Sequence, residues 1–207
     1  MSKYYRELES VFSKHVQDYD SWYFRNVDIA YEELNLVKSF NLRGVGLEIG
    51  SGTCFFSRLF GESIVGLDLS SEMCRFCKKV RGTECIHAIG EYLPVRSHSL
   101  DYVLIIVTLC FVDDVHRVLN ECCRVLKKGG KVLICIVPRD SEAGRKYIEK
   151  SMRGHRFYKY AKFYTVNEVV ALCKQHNLEV MTIRGTLCKD SENLKTCDFV
   201  CIHASLQ

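Results

Sequence analysis

Only two prolines, Pro94 and Pro138, occur in 207 residues. The chain therefore holds no proline-rich linker to separate domains and no polyproline segment to offer a partner. Long hydrophobic runs are missing as well. The longest stretch without a charged residue, Tyr102 to Val112, covers 11 positions, against the roughly 20 needed to span a bilayer, so no membrane segment is expected. The N-terminal stretch "MSKYYRELESVFSKHVQDYD" mixes both charge signs with tyrosines and lacks the apolar core of a secretory signal; a cytoplasmic location is expected. Neither charge sign dominates: 29 Lys and Arg against 25 Asp and Glu give +4, with the basic residues scattered. Without a basic stripe to track a phosphate backbone, nucleic acid is not an expected partner.

Cysteine, by contrast, is abundant, at twelve. Only Cys74 and Cys77 stand as Cys-x-x-Cys, within a helical pattern and with no second such pair at zinc-ribbon distance, so no metal centre is expected. Cys85, Cys110, Cys122, Cys135 and Cys173 fall in apolar runs and read as small core hydrophobes. Cys188 and Cys197 flank a polar turn and can face each other across a hairpin, where the sequence suggests a disulfide.

The hydrophobic share, 47%, suffices for one well-packed domain. Up to about position 40, apolar residues recur at helical spacing: Tyr5, Leu8, Phe12, Val16 and Tyr19, then Ile29, Leu34 and Val37. The period then changes. Short buried-strand patterns follow at Gly46–Ile49, Ile64–Leu69, Glu84–His87, Leu100–Val107 and Lys131–Val137, separated by helical stretches at Cys54–Phe60, Glu72–Val80 and Val115–Leu126. Strands alternating with helices imply crossovers and a parallel sheet covered on both faces, an α/β sandwich. A helix over Val166–Gln175 and an antiparallel hairpin of Val180–Thr186 with Asp198–His203 close the pattern. "KKGG", Lys127 to Gly130, reads as a helix C-terminus stopped by glycine, and Asp113 or Asp114 as the cap of the preceding helix.

In an open α/β sheet, ligands bind beyond the carboxyl ends of the strands. The first strand ends at Ile49, which makes Gly50-Ser51-Gly52 the turn at that place, where missing side chains let a ligand rest on backbone. Position 55 is Phe, so the G-x-G-x-x-G of a dinucleotide site is not completed, which disfavours a nicotinamide dehydrogenase. Glu48, two residues before Gly50, would repel a pyrophosphate and suits a cation. Asp68, closing the second strand, is placed to accept from both hydroxyls of a ribose. A ribose-bearing cation is S-adenosylmethionine (SAM).

Four segments, "LEIGSGT", "GLDLSSEM", "GEYLPVRSHSLDYVL" and "ECCRVLKKGGKVLI", resemble in order and spacing the motifs of class I SAM-dependent methyltransferases, in particular the small-molecule, type 11-like group. The likeness runs from about Leu47 to Val137. It implies a Rossmann-like, three-layer fold with a seven-stranded, mostly parallel sheet in the order 3-2-1-4-5-7-6, strand seven antiparallel, under a helical N-terminal cap. It divides a single domain into a cap or lid (1–42), a SAM-binding core (43–137), an active-face insertion (138–165) and a C-terminal helix with hairpin (166–207). It also implies roles: Glu48 at the methionine amino end, Gly50, Ser51 and Gly52 beneath the methionine, Asp68 on the ribose, and Leu69 and Met73 against the adenine. Where the family carries an acid for the adenine amino group, this sequence has Ile89, which hands that contact to Gly90 or Glu91. Cys54 stands where a third glycine is common.

The acceptor is expected above the fourth strand, at Val107 to Asp114, with Thr108, Cys110 and Phe111 as lining and Val107 among the cofactor-binding residues. The aromatic element "YDSWYFRN" supplies a lid over a cation through Tyr19 and Trp22. The long insertion adds Arg139, His155, Tyr158 and Tyr164. Methyl transfer from a sulfonium needs alignment above all, which leaves positioning residues, Tyr19, Thr108 and Phe111, as the catalytic candidates. No residue stands out as a general base, which favours a nitrogen or sulfur acceptor on a small molecule. Two alternatives stay open: a SAM-binding module without catalysis, and an arsenite methyltransferase using Cys54, Cys110 or Cys135.

Overall fold

A computed structural model describes residues 2–190 and 193–207, apart from the side chain of Glu62; positions 191 and 192, in the expected C-terminal turn, lie outside the described residues. Three helices come first, α1 (Lys3–Lys14), α2 (Val16–Arg25) and α3 (Val27–Lys38). The sheet follows, as β1 (Gly46–Ile49), β2 (Ile64–Asp68), β3 (Cys85–His87), β4 (Leu100–Ile106), β5 (Leu126–Ile136), β6 (Leu178–Cys188) and β7 (Cys197–Leu206). Between them run α4 (Ser71–Phe76), α5 (Val115–Val125), α6 (Glu142–Met152) and α7 (Val166–Gln175). The strand order is β3-β2-β1-β4-β5-β7-β6; β1 to β5 pair in parallel, and β7 runs antiparallel to both β5 and β6. This is the seven-stranded, Rossmann-like arrangement that the motifs implied. Among the described residues no helix is long and apolar enough to cross a membrane.

Each face of the sheet buries its own core. On one, Val118, Leu119, Cys122 and Val125 of α5 and Val169 and Cys173 of α7 pack against Leu47, Ile49, Val103 and Ile105. On the other, Ala30 and Val37 of α3 join Phe55, Phe56, Leu104, Leu133 and Phe199. The i, i+3, i+4, i+7 spacing of these helical residues is what turns one stripe inward. Asp114 caps α5 by accepting from the Arg117 N–H, and Thr165 with Glu168 forms a reciprocal capping box on α7.

Three local expectations are corrected. The segment after β1 is not an α-helix: Cys54 takes φ 56°, which a right-handed helix cannot contain, and only a 3-10 turn, Ser57–Ser63, follows. α5 ends at Val125, where Leu126 turns extended, so "KKGG" opens β5 instead of closing the helix. The cysteines are not all isolated core residues. Cys188–Cys197 is the disulfide that the hairpin suggested, but Cys54–Cys77 and Cys135–Cys201 are also joined. The second of these links cross-strand neighbours of β5 and β7, and the sulfurs of Cys54, Cys77 and Cys85 lie within 4.8 Å of one another. Sequence spacing could not reveal either, because one pair meets between the loop after β1 and the helical turn after α4 and the other between two neighbouring strands.

Candidate active site

At the carboxyl end of β1 the chain turns through Gly50, with φ 66°, and the N–H groups of Gly50 and Ser51 both donate to the Leu67 carbonyl, at 2.7 and 3.0 Å. The Gly52 N–H donates to Asp68 Oδ2 at 2.9 Å and the Ser70 N–H to Oδ1 at 2.8 Å, so the carboxylate at the end of β2 holds the loop after β1. Burial pushes the Asp68 carboxyl up to about 6, against the pull of these backbone donors. A side chain at position 50 is excluded on the other flank: a Cβ there would stand 2.1 Å from Thr108 Cγ2. Thr108 Oγ1 lies 3.0 Å from the Gly50 carbonyl, to which it donates. Beside it Val107, a β-branched residue at the end of β4, has φ 50°, a strained conformation of the kind that gathers at functional sites.

These strand ends open into a cavity of about 360 Å³. Of the residues expected at the site, Tyr19, Trp22, Glu48, Gly50, Ser51 and Gly52 line it, as do Asp68, Leu69, Val107, Thr108 and Phe111. Met73, Ile89, Gly90 and Glu91 do not. Met73 is fully buried, and Gly90 packs its α-carbon toward Ile49 and Val118. Glu91 is committed elsewhere: it accepts from the Tyr5 hydroxyl and from the Asp113 and Asp114 N–H groups, at 3.0 and 3.2 Å for the latter two. It thereby ties α1 to the loop before α5. Of the insertion residues, His155, Tyr158 and Tyr164 reach the cavity, whereas Arg139 pairs with Glu168 at 2.8 Å.

The outer wall is aromatic. Phe12 stacks on Phe157 (5.0 Å between centroids) and meets Phe111 edge-on (5.4 Å), while Tyr147 stacks on Tyr158 (4.4 Å). Tyr19 carries its hydroxyl 3.3 Å from that of Tyr23, which stacks on Phe55. A buried ion pair, Arg81 to Asp20 at 2.6 Å, pins α2 to the turn after α4 and so fixes this lid over the strand ends.

Two buried acids enter the same space. Glu48 accepts from the Ser57 hydroxyl, and burial, with the Asp68 charge adding to it, pushes its carboxyl up to about 8. Glu33 of α3 is likewise raised to about 8 by burial and lines the cavity. His155 is lowered by burial and by the charges of Lys150 and Arg156. Sequence reasoning missed Glu33, Tyr23 and Tyr147. The signal for Glu33 was present: it sits between Ala30 and Val37 on the apolar stripe of α3, where an acid has no packing reason to be. Of the cysteines considered for arsenic, Cys54 and Cys135 are tied in disulfides and Cys110 alone lines the cavity, so that thiol set is not assembled.

Comparison with known proteins agrees with this geometry. A family described as "Methyltransferase domain" matches residues 47–134. An uncharacterized protein of Methanocaldococcus jannaschii is 36% identical over 185 residues, 89% of each chain. A crystal structure from Thermotoga maritima, described as a "SAM-dependent methyltransferase, possible histamine N-methyltransferase", superimposes with a TM-score of 0.87 at 31% identity, covering 97% of this chain and 100% of that one. A SAM-dependent methyltransferase of Aquifex aeolicus shares the fold at 16% identity, with a TM-score of 0.63 over 84% of this chain and 88% of its own.

Proposed function

The chain belongs to the SAM-dependent methyltransferases, and from that premise we propose that it is a cytoplasmic enzyme methylating a small, flat acceptor at nitrogen or sulfur within the aromatic cavity. The observation that carries this reading is the continuity between the Gly50–Gly52 loop, latched to the Asp68 carboxylate, and a cavity walled by rings.

The residues present fit the donor. A Cβ at Gly52 would come within 3.1 Å of the Tyr19 ring, so bare backbone here keeps open a cradle that a side chain would fill. Asp68 spends one lone pair of Oδ2 on the loop's Gly52 N–H and one of Oδ1 on the Ser70 N–H, and keeps the others for a ligand's hydroxyls. In this reading Gly50, Ser51 and Gly52 hold the methionine portion with Glu48, Asp68 holds the ribose, and Leu69 covers the adenine. SAM, when bound, supplies an electrophilic methyl group on a sulfonium.

The chain itself contributes alignment and exclusion of water. Rigid placement of two reactants can supply roughly 7–11 kcal/mol of a barrier, and the loop is rigid by construction: four backbone or side-chain hydrogen bonds fix it to β2 and β4. Tyr19, raised to about 12 by burial, stays a neutral phenol and presents a ring face and a hydroxyl without introducing charge. The rings of Phe12, Phe111 and Phe157 keep bulk solvent from the space above Thr108. His155, held neutral, can take up the proton that a nitrogen acceptor releases.

The test is a calorimetric titration with SAM, followed by mass-spectrometric detection of methylated product across a panel of small amines and thiols. Binding of SAM together with at least one methylated acceptor is expected; tight SAM binding with no product from any amine or thiol would overturn the acceptor assignment.

A further inference from the structure

Glu33 is unusual among the charged groups of the site. It is 7% exposed, it faces the cavity, and among the described residues no hydrogen bond or ion pair reaches its carboxylate. A buried acid without a partner is costly to keep, and chains retain one where a ligand completes it. Resting on the methyltransferase reading above, we propose that Glu33 is an ammonium subsite: its carboxylate receives a protonated amine of the methyl acceptor while the surrounding rings take the flat remainder.

The neighbours suit a cation. The groups electrostatically coupled to Glu33 are Tyr19 and Tyr23 of α2 and Tyr147 of α6, all neutral phenols whose ring faces attract positive charge. Glu48, on β1, adds a second acid to the same cavity. The cationic groups of the cavity wall, Arg25, Lys150 and Arg156, form no ion pair with Glu33 among the described residues; Asp18 engages Arg25 at 3.0 Å and Arg156 at 2.7 Å, and Lys150 lies over the Tyr147 ring at 5.6 Å.

The two acids are carried on different elements, Glu33 on α3 and Glu48 on β1. The loop and Asp68 mark the β1–β2 side of the sheet. Glu33 rides on α3, which packs toward β6 and β7, and it couples to Tyr147 from the insertion after β5. Glu48 acts on Tyr19 and Tyr23 as Glu33 does, but it is already engaged by the Ser57 hydroxyl on the loop side.

Since burial keeps the empty Glu33 protonated up to about 8, capture of an ammonium at pH 7 must expel its proton. The experiment is calorimetry at pH 7 on enzyme loaded with S-adenosylhomocysteine, using 2-phenylethylamine, tyramine and histamine and the corresponding alcohols. In two buffers of different ionisation enthalpy, wild type should bind at least one amine about ten-fold more tightly than its alcohol, releasing about one proton per amine bound. Glu33→Gln should lose both the preference and the proton release while keeping its affinity for S-adenosylhomocysteine, which also reports that it folds. Glu33→Asp should recover part of the preference. Equal binding of amines and alcohols by wild type, or no binding of either, overturns the subsite alone. A Glu33→Gln variant that loses S-adenosylhomocysteine but keeps the amine preference assigns Glu33 to the donor and overturns it as well. Failure of wild type to bind S-adenosylhomocysteine at all overturns the methyltransferase reading with it.

Discussion

The Gly52 N–H and the Asp68 carboxylate meet at 2.9 Å across the tips of β1 and β2. One side chain thus shapes the loop and faces the cavity at the same time. Asp68→Ala removes both functions and frees the Gly52 and Ser70 donors. Asp68→Asn keeps one oxygen for the Gly52 N–H but turns an NH2 group onto the Ser70 N–H, and it loses the charge that strengthens hydrogen bonds from a ligand's hydroxyls. SAM affinity is expected to fall by roughly 100-fold or more in both variants, with the thermal midpoint of Asp68→Asn between those of wild type and Asp68→Ala. Isothermal titration reads the affinity, and wild-type binding by Asp68→Asn would remove Asp68 from the donor site.

Tyr5 donates to Glu91 and accepts from the Asp113 N–H at 3.0 Å, so its hydroxyl sits at the centre of a buried network joining α1 to the loop before α5. Tyr5→Phe leaves a buried carboxylate short of a donor, with an expected cost of about 1–3 kcal/mol. Urea denaturation measures it. SAM affinity should change little, because Glu91 acts on the protein's own backbone and not in the cavity.

Twelve cysteines, with six joined in three disulfides, predict six titratable thiols in denatured, unreduced protein and twelve after reduction. Cys135–Cys201 closes the longest loop, 66 residues, and its reduction should lower stability by on the order of 4 kcal/mol on the chain-entropy account. Denaturation with and without reductant, compared with a Cys135→Ala/Cys201→Ala variant, isolates that bond from the other two.

Glu33 and Glu48 are both shifted from 4.5 to about 8 by burial. A raised carboxyl holds its proton more tightly in the folded chain than in the unfolded one, so neither group costs stability below pH 4.5. The penalty grows as pH rises from 4.5 to 8 and is complete above 8. Stability of the ligand-free protein should therefore fall across that window, by at most about 1.4 kcal/mol per pH unit for each group. Glu33→Gln should flatten the slope. A slope identical to wild type in chemical denaturation at pH 5, 7 and 9 would show that Glu33 ionises freely.

Alternation of short apolar runs with amphipathic helices announced the layers, since the periods of 2 and 3.6 reflect which side of each element must leave water. The loop after β1 and the acid closing β2 were equally legible, because glycine spacing and a strand-end carboxylate are local features. Local reading also misjudged: Cys54 looked helical until its positive φ ended the helix, and Glu91 looked like a ligand contact until the fold gave it Tyr5 and two backbone donors.

By itself, the order of residues determined the elements, their alternation and the position of Gly50, Gly52 and Asp68 at strand ends, all consequences of interactions within a few neighbours. Only the folded chain decided that Glu33 would stand among Tyr19, Tyr23 and Tyr147 with no ion pair among the described residues, and that Cys135 would find Cys201. Those outcomes depend on which residues distant in sequence are brought together, and burial, which sets the charge state of an acid and the partner of a thiol, exists only once the layers have closed.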